Sequence, residues 1–195
     1  MREETLPGET IGAGESAPWA SADPMLEQVG RWLRRVHDLT ADFPAPADEH
    51  WFIGGTVQPG LIVGHQDAAP YNAVVDGDRL VGFCDWDIAG PSTREWDLAF
   101  SALSWVPLAS PWDGTRSDHG EQSRRLQLLL DAYGYDGDRH AFSTVVPQRA
   151  RRQAGVIRSM AEAGDPASIG LLPVAEMLER SATDLEALPA TFWNP

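Results

Sequence analysis

No lysine occurs in the 195 residues: all 15 basic side chains are arginine, set against 29 acidic ones for a formal charge of −14. A surface so short of positive charge repels phosphate backbones, so nucleic acid is not an expected partner. The same acidity tilts the expectation for a small-molecule ligand mildly toward a cationic one. Cys84 is the sole cysteine, which excludes an intramolecular disulfide and a multi-thiolate zinc site; its apolar neighbours predict a buried thiol. No apolar run approaches the roughly 18 residues needed to cross a bilayer. The Met-Arg-Glu-Glu start has no apolar stretch behind it, so no secretory signal is read there. The expectation is a cytoplasmic chain without a membrane partner. Also missing is any glycine-rich phosphate loop ahead of the motif described below.

What is present suits one folded domain, since 43% of residues are apolar and 23% charged, far from a disordered composition. Residues 1–20, rich in Gly, Pro, Ser and Glu, read as a linker, and residues 21–195 as a mostly helical body. Asp23-Pro24 supplies a helix start. Met25, Leu26, Val29, Trp32, Leu33, Val36 and Leu39 then recur at helical spacing, predicting an amphipathic helix over 24–41. After a proline-bearing loop, Leu61-Ile62-Val63-Gly64 reads as a buried strand. Ala73-Val74-Val75 and Leu80 to Cys84 read as a hairpin around Asp76-Gly77-Asp78. Helices are predicted from Trp96 to Trp105 and over 118–134, 138–163 and 167–188. The fold class is therefore α+β, mostly helical, with a small β-hairpin.

Chemistry concentrates at His65-Gln66-Asp67-Ala68-Ala69-Pro70-Tyr71-Asn72 and Phe83-Cys84-Asp85-Trp86-Asp87. Both segments sit at strand ends, where a rigid scaffold holds functional groups. Asp67 is a candidate proton acceptor for a hydroxyl, and the oxygens of Asn72 and Asp85 suit a hard divalent cation. Those are the parts phosphoryl transfer needs, because its catalysis is mostly positioning and neutralisation of phosphate charge. Arg149, Arg151 and Arg152 read as an exposed basic face, His37 as a packing or capping residue, and Trp105, Trp112 and Trp193 as core or loop packing.

These residues resemble the catalytic and metal loops of the aminoglycoside phosphotransferase and choline kinase superfamily, small-molecule relatives of protein kinases. Trp96-Asp97-Leu98-Ala99 is similar to the helix start that follows the metal loop there. Leu6-Pro7-Gly8-Glu9 is similar to the segment after the hinge between the two lobes. The resemblance implies the C-terminal lobe of a protein-kinase-like fold and ATP- and magnesium-dependent phosphorylation of a small-molecule alcohol. It implies Asp67 as catalytic base or orienting acceptor, Asn72 and Asp85 as Mg2+ ligands, and His65 as a structural brace. Asp97 would hold the catalytic loop's backbone, and Asp87 would stand behind the metal site. The family's preceding β-rich lobe, with its phosphate-covering loop and lysine, has no counterpart in this sequence. A gene start placed too late is the expected reason, ahead of a natural fragment or a separate polypeptide supplying the lobe. Two other readings are carried forward. One is a non-catalytic binding or interaction module, self-associating or awaiting a partner lobe; the other is a metal-dependent phosphohydrolase.

Overall fold

The computed structural model describes residues 8–11, 17–44, 48–109 and 118–195. Arg2, Leu6-Pro7 and Trp112 lie outside the described residues. The architecture is mostly helical with a small β region in two parts.

A 3-10 turn, Pro18–Ser21, leads into α1 (Asp23–Thr40). The buried stripe of α1 is Met25, Leu26, Val29, Gly30, Leu33 and His37. Leu39 falls off that stripe and is exposed, because it is six residues after Leu33 and so outside the i+3 and i+4 rows that Val36 and His37 continue. The strand β1 (Ile62–Gly64) pairs antiparallel with β4 (Gly90–Ser92), while β2 (Ala73–Asp76) pairs with β3 (Arg79–Phe83) around the Gly77-Asp78 turn. A β-bulge between Val74 and Val75 shifts the register of the second ribbon. Glu9 pairs with the bulged strand, its N–H donating to Val75 O at 2.8 Å and its carbonyl accepting from Val75 N at 2.9 Å.

The helices α2 (Arg94–Trp105), α3 (His119–Tyr133) and α4 (Phe142–Glu162) follow. Thr93 caps α2 by accepting from Trp96 N, and Gly134 in the left-handed region closes α3. The helical stretch expected over 167–188 is two helices, α5 (Pro166–Gly170) and α6 (Leu172–Glu186), with Asp165 capping α5. Pro173 fixes the break, since it suits a first helical turn and not an interior. A last turn, α7 (Ala190–Trp193), buries Phe192 and Trp193.

Two packed pairs, α1 with α3 and α4 with α6, flank α2, whose buried face joins both. Gly30 sets the spacing of the first pair. A Cβ there would lie 2.9 Å from Ala132 Cβ, Leu129 O and Tyr133 N, so only glycine lets the backbones meet this closely. That contact brings Tyr133 of α3 against His37 of α1, the first link of the scaffold behind the site.

Candidate active site

The loop from His65 to Asn72 is held almost entirely by its backbone. Asp97, buried at the first turn of α2, accepts from His65 N at 3.2 Å through Oδ2 and from Gln66 N at 2.6 Å through Oδ1. Its Oδ2 also meets His37 Nε2 at 2.8 Å, and His37 Nδ1 meets the Tyr133 hydroxyl at 2.8 Å. Arg94 donates to Tyr133 at 3.4 Å and to Asp38 at 2.7 Å, so the chain of contacts reaches the surface. Burial alone would raise the Asp97 carboxyl. The hydrogen bond and charge of His37, with the Gln66 amide, outweigh that and keep it below the ordinary carboxylate range. Gly64 is required beside it, because a Cβ would fall 2.8 Å from Asp97 Cγ.

Other groups secure the carbonyls. Arg149 donates to Gln66 O at 2.8 Å. Ser101 Oγ at 3.2 Å and Trp105 Nε1 at 2.8 Å both donate to Ala68 O. Buried backbone groups need partners, and here each partner comes from a different helix position. The anchorage sustains Gln66 at φ +64°, a conformation costing a non-glycine residue about 1 kcal/mol or more. Asp85 has φ +61°, so both chemistry-bearing turns hold a side chain in the left-handed region.

His65 is buried, and burial lowers its pKa, which keeps the ring neutral. Its Nε2 meets Cys84 O at 3.0 Å and its Nδ1 accepts from Asp67 N at 3.3 Å. One tautomer, with the proton on Nε2, satisfies both. The ring thus couples the loop of Asp67 to the residue preceding Asp85. Cys84 is half-buried rather than buried, its Sγ donating to Asn72 O at 3.4 Å and its N–H to the same oxygen at 2.9 Å. The side-by-side hairpin strands bring position 72 next to position 84, which offsets the apolar character that predicted a buried thiol.

Asp67 accepts from the Tyr71 hydroxyl at 2.6 Å on Oδ1 and from Asn72 Nδ2 at 2.9 Å on Oδ2. Burial raises its pKa to about 6, with the negative charge of Asp85 adding to the rise and the Tyr71 and Asn72 hydrogen bonds opposing it. Asn72 also donates to Asp67 O at 3.0 Å. Its amide nitrogen is engaged by Asp67; its side-chain oxygen and the exposed carboxylate of Asp85 are hard-oxygen donors of the type that would suit a divalent cation. Among the described residues no group of three or more His, Cys, Asp or Glu is arranged to hold a metal by itself.

Asp67, Asp85 and Asp87 line a cavity of about 850 Å³. Residues of α4 and α5 line it as well, and Trp96, Arg149, Arg152, Ile157 and Met160 are among its lining.

No protein-family model matches the chain. Over 135 residues it is 33% identical to the trifolitoxin immunity protein of Rhizobium leguminosarum bv. trifolii, covering 66% of this chain and 50% of that protein. Over 81 residues it is 32% identical to an aminoglycoside 3'-phosphotransferase of Niallia circulans, covering 42% of this chain and 27% of the enzyme. The chain therefore spans half or less of the curated relatives it matches. Together they connect it distantly to an aminoglycoside-phosphotransferase-like superfamily, the immunity protein being the more similar of the two.

Of the residues singled out in the sequence, the structure gathers His65, Asp67, Asn72 and Asp97 into one hydrogen-bonded cluster. Asp85 lies within electrostatic reach of Asp67, and Asp87 is exposed on the same cavity. Three roles were not anticipated. His37 packs in the interior, one of the two roles read for it, but also links Asp97 to Tyr133; Tyr71 holds the Asp67 carboxylate; and Arg149 is buried rather than part of an exposed face. Only Arg149 of the basic trio turns inward; Arg151 pairs with Glu186 and Arg152 stands at the cavity. Arg149 and Arg151 fall on opposite flanks of the inward stripe at 146, 150, 154 and 157: Arg149 on the flank that meets Phe100 and Gln66, Arg151 on the flank that meets Glu186 of α6. Trp105 and Trp193 are core residues, and the cavity's tryptophan is Trp96. No helix among the described residues is long and apolar enough to cross a membrane.

Proposed function

We propose that this chain carries the acceptor-activating site of an ATP- and Mg2+-dependent phosphotransferase whose acceptor is a small-molecule hydroxyl. The observation that carries the reading is Asp67: a half-buried carboxylate with a pKa raised to about 6, lining a cavity and already receiving a hydroxyl at 2.6 Å. A base of that pKa is ionised near neutrality and retains useful proton affinity. The similarity to an aminoglycoside 3'-phosphotransferase supports the same chemistry.

In this reading an acceptor alcohol takes the place of the Tyr71 hydroxyl on Asp67 Oδ1, which aims its oxygen and receives its proton. Asn72 fixes the carboxylate's rotation from the other oxygen. Asp97 and Arg149 hold the loop beneath, so little reorganisation accompanies reaction. Asn72 and Asp85 are the residues that would hold magnesium, which when bound neutralises donor phosphate charge.

The test is transfer of labelled phosphate from Mg-ATP to a panel of alcohols, beside calorimetric titration of Mg-ATP into the chain and its Asp85→Ala variant. Labelled alcohol that falls about a hundredfold or more with Asp67→Asn and with Asp85→Ala supports the reading. Release of free phosphate with no labelled alcohol would replace it by hydrolysis. A second reading is favoured by the similarity to an immunity protein: a module that binds a toxic small molecule without turning it over. Tight binding of a candidate molecule, unchanged in Asp67→Asn and without any phosphorylated product, would select it.

A further inference from the structure

Three tyrosines occur in the chain, and they are placed differently. The Tyr133 hydroxyl is spent on His37 and Arg94. Tyr135 packs its ring on Phe142, with 5.2 Å between centroids. Tyr71 is the one whose hydroxyl rests on Asp67, donating to Oδ1 at 2.6 Å.

The local fold makes that contact. Ala69 N donates to Asp67 O at 2.8 Å and Asn72 N to Ala69 O at 3.0 Å, so the chain doubles back through a 3-10 turn, Pro70–Asn72, and returns residue 71 to residue 67. Pro70 presets the first φ of the turn. The arc is pinned at Ala68 O by Ser101 and Trp105, and at Asp67 by the Asn72 amide. Tyr71 is nevertheless an exposed residue outside the hydrophobic core, so enlarging its side chain displaces no core packing.

We propose that Tyr71 is a phosphoryl acceptor in its own right, and that the chain phosphorylates this hydroxyl from Mg-ATP when no alcohol occupies Asp67. This rests on the phosphotransfer reading of Asp67. The Tyr71 oxygen bonds to the terminal phosphorus of ATP as the bond from that phosphorus to its bridging oxygen breaks. The electron pair leaves with ADP, and the phenolic proton passes to Asp67 Oδ1. Burial and the Asp67 charge keep the phenol neutral, so its proton leaves only to a base in contact with it. A hydroxyl already seated on that base has the advantage of an intramolecular group over a dissolved alcohol. The product carries about two negative charges beside Asp67 and Asp85, whose charges already act on the phenol. Repulsion then drives the modified side chain off Asp67, which clears the base of its own competitor.

The chain is incubated with Mg-ATP labelled at its terminal phosphate, with and without the panel of alcohols, and the label is located by peptide mass spectrometry. Label is expected on Tyr71, falling about a hundredfold or more in Asp67→Asn, absent from Tyr71→Phe and unchanged in Tyr135→Phe. Asp67→Asn mixed with Tyr71→Phe should leave both unlabelled, because base and acceptor then sit on different chains. After removal of nucleotide, NMR of the phosphorylated chain should show the Asp67 carboxyl titrating at higher pH, since it has lost its donor and gained an anionic neighbour. A titration left in place would overturn the clearing of Asp67. Label passed between the mixed variants, or kept at the parental level in Asp67→Asn, would overturn the proposal. Labelled alcohol with Tyr71 bare overturns it too, while leaving the phosphotransfer reading standing. Tyr71 labelled with no alcohol accepted upholds it and makes the chain its own acceptor. Free phosphate alone, or no label anywhere, sinks both.

Discussion

The Tyr71 hydroxyl donates to Asp67 Oδ1 at 2.6 Å, one turn of loop away and 40% exposed to solvent. Burial and the neighbouring carboxylate raise the phenol's own pKa, so it remains a donor at any physiological pH. The contact shows that Asp67 accepts a hydroxyl on Oδ1. It also means that Tyr71 competes with an acceptor for the same oxygen.

Replacing Tyr71 with Phe therefore has two expected effects of opposite sense. The lost hydrogen bond no longer favours the ionised carboxylate, so the Asp67 pKa rises above about 6. The acid limb of a kcat/KM profile, or the carboxyl carbon shift of Asp67 followed by NMR, should move to higher pH. Acceptor KM should fall, because the site no longer has to displace its own phenol. A limb that stays put or moves to lower pH would remove Tyr71 from any role at Asp67.

Ionising Asp67 costs the folded state. Its folded pKa of about 6 exceeds the ordinary 3.8, so the folded chain binds the proton more tightly. The contribution of Asp67 to stability is greatest below about pH 4, falls as pH rises toward 6, and is level above that. Asp67→Asn has no charge to desolvate, and its amide can accept from Asn72 while donating to the Tyr71 oxygen. We expect the variant to be more stable than the parent by about 1–3 kcal/mol above pH 6, with the advantage vanishing near pH 4. Chemical denaturation at pH 4 and pH 8 reads the difference directly.

Gly64 and Asp97 should fail together. A methyl at 64 would press 2.8 Å from Asp97 Cγ, displacing the carboxylate that holds His65 N, Gln66 N and His37. Breaking a buried ionic hydrogen-bonded pair costs about 3–5 kcal/mol. Gly64→Ala and Asp97→Ala should each lose stability on that scale. Their double variant should lose much less than the sum, since both remove one contact set. Additive losses in urea denaturation would show that the two residues act separately.

How far the sequence reveals this arrangement depends on what carries each signal. The α1 helix is plain from its apolar period, and the β2–β3 hairpin from Gly77 between apolar runs. The Asp67, Asn72 and Asp85 cluster is visible because its residues are close in the chain. β4 is not visible: Gly90-Pro91-Ser92 has no strand propensity and is extended only because β1 pairs with it. His37 and Arg149 were hidden for a related reason. Each reaches the loop from a helix far away in sequence, and a single polar residue in an apolar stripe gives no sign of its partner. Trp105 shows the converse, its ring buried as a core residue should be while its Nε1 holds the carbonyl after Asp67.

Arg149 joins the anchorage of the loop to the charge at Asp67. Burial lowers its pKa to about 10, with the charges of Asp97 and Asp67 opposing the drop, so it stays cationic near neutrality. Arg149→Met keeps much of the packing on Phe100 but strands the buried Gln66 carbonyl, a loss of about 1–3 kcal/mol. It also removes a positive charge that helps hold down the Asp67 pKa, so the carboxyl titration should move upward. Arg149→Lys separates the two roles. A compact ammonium cannot reproduce the fork to Gln66 and Gln153, so stability should stay low. Its charge should return the Asp67 titration toward the parent value. If both variants shift the titration equally, Arg149 acts through the loop backbone and not through its charge.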